Sequence, residues 1–172
     1  MARMTFHPLA NHQLITTGGE LVAAVGALAG RSIPFGVLLV ETEPAMGTTR
    51  IVYATARGFN WQAIRVSPVF GEGLGSENRE TIAKAVANAY RKPVLLVLTD
   101  CGKAGEDLAE LLDVASRHAH PRGICGIVAI THDKAQDMID GVRAAGDTTP
   151  IETHSRHYVP ISEEDFARAL EK

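Results

Sequence analysis

A carboxylate and an imidazole, Asp100 and His132, each stand just past a run of apolar residues, Val94 to Leu98 and Ile124 to Ile130. In such places Asp100 suits a general base or a ligand for a hard cation, and His132 a proton carrier near neutral pH. Glu41 follows a third apolar run, Ile33 to Val40, and with Asp100 makes a candidate magnesium pair. Lys103 supplies a charge for a phosphate, and Thr131 and Asp133 flank His132 as further ligand contacts. In the run Gly71-Glu72-Gly73-Leu74-Gly75-Ser76, Gly73 and Gly75 let backbone amides approach a phosphate closely, and Ser76 adds a hydroxyl at a helix start. This run is neither a Walker sequence nor the dinucleotide fingerprint, since no Gly-Lys-Ser/Thr follows and the glycine order differs. A plainer reading covers the whole set: every strand ends in something polar, and Asp, Thr, His and Gly are ordinary turn and cap residues.

The elements that must position these residues alternate in type. Leu21, Val22, Val25 and Leu28 recur at helical spacing until Gly30. The runs 33–40, 94–98 and 124–130 are apolar throughout, as in strands buried on both faces. Arg50 to Ala56 alternates with a β period after the turn-like Pro44 to Thr48 and reads as the return strand of an antiparallel hairpin, which makes the sheet mixed. A short strand is expected within 61–70, a helix carrying Ile82, Ala83, Val86 and Ala89, another carrying Leu108, Leu111, Leu112 and Ala115, and another carrying Met138, Ile139 and Val142 that stops at Gly146. The end holds a short strand near Ile151 or over Tyr158 to Ile161, then a helix opened by Ser162 and Asp165 as a capping box. The expected fold is a single α/β domain over 1–172, two- or three-layered, with a mainly parallel sheet whose carboxyl ends share one rim.

Composition narrows the function. The 172 residues are 45% hydrophobic and carry a net charge of −3, with no basic excess for gripping a nucleic-acid backbone generically. No stretch approaches a membrane span of ~20 apolar residues, and the N-terminal residues do not read as a signal peptide, so a cytoplasmic protein without membrane partners is expected. Cys101, beside Lys103 at a helix start, is either an activated thiol or a small core residue, and Cys125 is core. His118 with His120, and His154 with His157, are spaced as in metal sites, but no second pair completes either set. Phe59 and Trp61 suit stacking on a base or core packing.

The segment Asn11-His12-Gln13-Leu14-Ile15-Thr16-Thr17, the helix after it, Ile33-Pro34-Phe35-Gly36-Val37 and Glu41 resemble the small prokaryotic family of adenosine-specific kinases, with Arg50 and the unit Val94 to Thr131 in comparable places. That resemblance implies an adenosine or ATP type of ligand. Glu41 and Thr99-Asp100-Cys101-Gly102-Lys103-Ala104-Gly105 are also similar in order to the metal-binding Toprim domain, with Gly102 where its second Asp would stand; this implies a magnesium site. Two functions follow. One is an enzyme or binding protein for an anionic, phosphate-bearing or nucleotide ligand, with Asp100 as base or magnesium ligand. The other is a non-catalytic assembly protein whose open sheet edges pair into a homo-oligomer.

Overall fold

The three apolar runs have no polar face because each becomes a strand with helices on both sides. The computed structural model describes residues 19–28, 35–44, 46–69, 73–100, 105–156 and 163–171. A helix over 19–27 (α1) comes first. Then follow β1 (Phe35–Thr42), α2 (Thr48–Gly58), β2 (Gln62–Val66), α3 (Gly75–Ala87), β3 (Val94–Leu98), α4 (Glu106–His118), β4 (Cys125–Thr131), α5 (Ala135–Ala144), β5 (Glu152–Arg156) and α6 (Glu163–Leu170). The strands form one sheet in the order β2-β3-β4-β1-β5, and every pairing is parallel.

Side-chain alternation along the strands sorts the core into two halves. Val37 and Leu39 of β1, Leu96 and Leu98 of β3, and Ile127 and Ala129 of β4 meet Ile82 and Val86 of α3, Leu108, Leu111 and Leu112 of α4, and Met138 and Val142 of α5. Leu38, Val40, Leu95, Val97, Val128 and Ile130 face the other way, onto Leu21, Val25 and Leu28 of α1, Val52 and Ala56 of α2, and Trp61. The architecture is a three-layer α/β sandwich. Strands β3 and β4 are adjacent, parallel and buried along their whole length. Among the described residues no helix is long and apolar enough to cross a membrane.

Arg50 to Ala56 is not a hairpin strand. It lies within α2, whose buried residues Thr48, Val52, Thr55 and Ala56 fall at i, i+4, i+7 and i+8, the spacing of one helical face. Ile51 and Tyr53 are half-buried beside Val52, so three apolar residues in succession imitate a strand. The sheet is accordingly parallel and not mixed in its described strands, and Arg50 sits exposed on a helix. The last strand occupies Glu152–Arg156; Tyr158 to Ile161 and the Ser162 cap lie outside the described residues. Cys125 is buried in β4, and burial pushes its thiol up to about 12, which leaves it inert.

Gly105 shows how closely the helices approach. It is the N-cap of α4 with φ +90, and a Cβ there would stand 2.2 Å from the Met138 carbonyl oxygen on α5. Left-handed backbone and a backbone clash act together, so Gly105→Ala should lower the unfolding free energy by about 2–4 kcal/mol, read from the urea midpoint.

Candidate functional site

Neighbouring strands β1 and β4 send the chain to opposite faces of the sheet. From β1 it passes to α2, whose Val52 packs with Leu38 and Val40. From β4 it passes to α5, whose Met138 packs with Val37 and Leu39. Where successive connections part in this way, the loops diverge and a crevice opens beyond the carboxyl ends of the strands. A cavity of about 270 Å³ lies there. Thr42 and Glu43 line it from the end of β1, Gly47, Thr48 and Thr49 from the start of α2, Ile130 and His132 from β4, Thr99 and Asp100 from β3, and Arg65 from β2.

The two-residue strand period decides which side chains reach this cavity. Arg65, Thr99 and Thr42 continue the α2-facing series of their strands. Glu41 and Thr131 continue the opposite series. Thus Asp100 and His132, expected together on one rim, line one cavity, whereas Glu41 does not. Glu41 Oε1 accepts the Ala135 amide at 2.7 Å, which caps the start of α5 on the far face. Asp100 and Glu41 therefore do not converge as a magnesium pair, and among the described residues no three His, Cys, Asp or Glu cluster as ligands.

His132 is held by its ring. Its Nδ1 lies 2.8 Å from the Thr42 carbonyl oxygen, which can only accept, so Nδ1 carries the proton and donates. Nε2 is left for the cavity. Asp100 has φ +57, a left-handed conformation that Asp and Asn tolerate better than most residues. Its Oδ2 accepts from Ser67 Oγ at 3.2 Å and lies 3.7 Å from Arg65 Nη2. Arg65 Nε also donates to Thr99 Oγ1 at 3.2 Å. Nearby, burial raises the Tyr53 phenol pKa, and the Arg65 charge partly opposes that rise.

Beneath the floor, Arg156 at the end of β5 is 1% exposed, and its Nη1 donates to Thr48 Oγ1 at 2.7 Å. The two Thr48 and Thr42 hydroxyls are 2.9 Å apart. This buried chain ties β5, β1 and the first turn of α2 together.

The other expected contacts have different roles. Gly73, Gly75 and Ser76 lie at the start of α3, and none lines the cavity with Asp100 and His132. An anion does meet that helix start, but it belongs to the protein: Glu110 Oε1 of α4 accepts the Leu74 amide at 3.2 Å, while its Oε2 takes Arg79 Nε at 2.6 Å. A Cβ on Gly73 would come within 2.7 Å of the same carboxylate. The Thr131 hydroxyl is buried and accepts the Asp133 amide at 3.0 Å, and Asp133 borders a separate hollow with His132, Lys134 and Asp137. Cys101 and Lys103 lie outside the described residues, as does His157. The sequence reading missed Arg65, Gly47, Thr48 and Thr49. The available signal was a glycine followed by two threonines and the helical spacing of Val52, Thr55 and Ala56.

No protein-family model and no curated protein sequence matches the chain. Among solved structures it is similar to Saccharomyces cerevisiae RIF2, at 12% identity and a TM-score of 0.54, over 99% of this chain and 69% of that one. It is also similar to Drosophila ORC, described bound to GC-rich DNA and Cdc6, at 14% identity and a TM-score of 0.52, over 97% of this chain and 32% of that one. These likenesses concern the fold.

Two substitutions separate structural from rim roles. Thr48→Val keeps the shape but removes the acceptor for a buried guanidinium, and should cost about 1–3 kcal/mol by urea unfolding, with Thr48→Ser recovering most of it. Glu41→Ala should cost about 0.5–2 kcal/mol through the lost cap of α5, while leaving the response to any ligand of the cavity unchanged in the same titration.

Proposed function

We propose that this chain binds a phosphate-bearing small ligand of the nucleotide type in the crevice between the ends of β1 and β4. One observation carries the reading. Helices α3, α4 and α5 each hold their own acids in the first turn, Glu77, Glu106 with Asp107, and Asp137; α2 holds none, and its start opens into the cavity beside Arg65 and His132. Free amides at a positive dipole end, a guanidinium and an imidazole nitrogen suit the oxygens of a phosphate. Asp100 and Glu43, which also line the cavity, favour an anion that arrives with magnesium.

The connection from β1 to α2 has the strand–loop–helix form of a P-loop, whose pattern is GxxxxGK[ST]. Gly47 and Thr49 stand at its second glycine and its hydroxyl position, Thr42 at the first glycine and Thr48 at the lysine. The missing lysine favours binding over phosphoryl transfer, because that side chain meets the charge of the transferred group. An adenosine or ATP type of ligand, implied by the kinase resemblance, and a cytoplasmic location belong to this proposal. The assembly reading rests on β2 and β5, which end the sheet with open edges among the described residues; a homo-oligomer would show as a doubled or larger mass in light scattering.

The test is thermal unfolding with ATP, GTP and inorganic triphosphate, with and without magnesium. A bound ligand at 100 times its dissociation constant should add about 2.7 kcal/mol. Arg65→Ala should weaken binding about tenfold or more. Asp100→Asn, which retains the left-handed backbone, should lose the magnesium-dependent part. No stabilisation by any of the three, or an unchanged response in Arg65→Ala, refutes the site.

A further inference from the structure

The opposite end of the sheet, at the starts of β2, β3 and β4, carries a charge pattern that the net charge conceals, while the connection from α5 into β5 at the same end holds Asp147 and Glu152. Three stretches meet there: residues 54–62 between α2 and β2, 84–94 between α3 and β3, and 114–125 between α4 and β4. The Ile124 amide donates to the Ala89 carbonyl at 3.4 Å, the Tyr90 and His120 rings lie 4.3 Å apart, and the Gln62 amide donates to the Pro93 carbonyl at 2.9 Å. Together they hold Arg57, Lys84, Arg91, Lys92, Arg117 and Arg122, with no Asp or Glu, in a chain whose net charge is −3.

Part of this has a plain cause. Arg57, Lys84 and Arg117 sit in the last turns of their helices, where cations complement the dipole, and the latter two pair with Glu80 and Asp113. Arg91, Lys92 and Arg122 lie beyond any helix, are exposed, and make no ion pair among the described residues. Beside them two aromatic rings are half-exposed, Tyr90 at 45% with its ring against that of His120, and Phe59 at 52% with its ring against Gly26 of α1. The Arg91 guanidinium lies 5.5 Å from the Tyr90 ring centroid and donates from Nε to the Tyr90 hydroxyl at 3.0 Å, which leaves its Nη groups for a phosphate.

We infer that this edge is a binding surface for single-stranded nucleic acid, with Arg91, Lys92 and Arg122 meeting the phosphates and Tyr90 and Phe59 offering faces for bases. Cations without an ion-pair partner beside half-exposed aromatic rings are what a flexible strand uses, because every base has a face to stack and every linkage a charge. A duplex is disfavoured, since helices α2, α3 and α4 all end here and none of them offers its N-terminal turn to a groove. The site is independent of the phosphate crevice, which lies at the other end of the strands.

The test is fluorescence anisotropy of a labelled oligothymidylate of ~20 nucleotides and a duplex of equal length, at ~50 and ~200 mM salt. The single strand should bind more tightly than the duplex. The triple variant Arg91→Ser, Lys92→Ser, Arg122→Ser should bind about tenfold or more weakly, with the logarithmic salt slope smaller by about 2. Tyr90→Ala should weaken binding with the slope unchanged. Lys134→Ser, the same kind of charge at the opposite end, should leave binding as it is, and Arg122→Glu alone serves if the triple variant is unstable. Absence of binding at low salt, tighter binding of the duplex, or binding unaffected by these substitutions overturns the inference. So does self-association that the triple variant abolishes without any oligonucleotide binding, which assigns the surface to a second copy of the chain.

Discussion

The parallel pairing of β1 with β4, in which Phe35 to Glu41 run level with Cys125 to Thr131, leaves the chain no short way back from one strand to the next. Each return needs a crossover, and here each is a helix laid on the sheet. With α1 and α2 on one face and α3, α4 and α5 on the other, the central strands meet no solvent, which is why Val94 to Leu98 tolerates no polar residue. The same pairing puts all strand ends on one rim. Because β1 and β4 hand the chain to opposite faces, it also sets where that rim splits open.

A parallel sheet with helical returns is polar from end to end. Helices begin near the carboxyl ends of strands and finish near their starts, so positive dipole ends collect at the rim and negative ends at the opposite edge. The side chains follow: acids occupy the first turns of α3, α4 and α5, and Arg57, Lys84, Arg117 and Arg143 the last turns of α2 to α5. Helix α2 departs from the rule at its start. Its amides face a cavity, and the hydroxyl nearest to hand, that of Thr48, is committed to Arg156 below.

Some polar groups expected to bind a ligand serve the fold first. Glu41 caps α5, and Glu110 fills the start of α3 that the glycine run was expected to offer to a phosphate. His132 is a partial case, since the Thr42 carbonyl takes one ring nitrogen and leaves the other. A strand end supplies two successive polar residues that point to opposite faces, and only one of each pair can look into a crevice on one side.

Local pattern was enough for the elements whose two faces share one environment: the apolar runs at β1, β3 and β4, and helices α3 to α5 with their regular stripes. It also sufficed to place Asp100 and His132 beyond adjacent strands, because both follow uninterrupted apolar runs. Pattern failed at α2, where Ile51, Val52 and Tyr53 are apolar in succession and the packing of Val52 and Ala56 on the sheet outweighs the strand-like preference of β-branched residues. Arg65 was not legible as a rim residue, since β2 reaches the site only by its place beside β3. The sequence by itself determined the alternation of helix and strand and the residues that could do chemistry. Which of those residues share a cavity, and which cap a helix instead, was decided by strand order and by the side of the sheet each crossover takes, and these depend on contacts between residues 90 or more positions apart, such as His132 with Thr42 and Ala135 with Glu41.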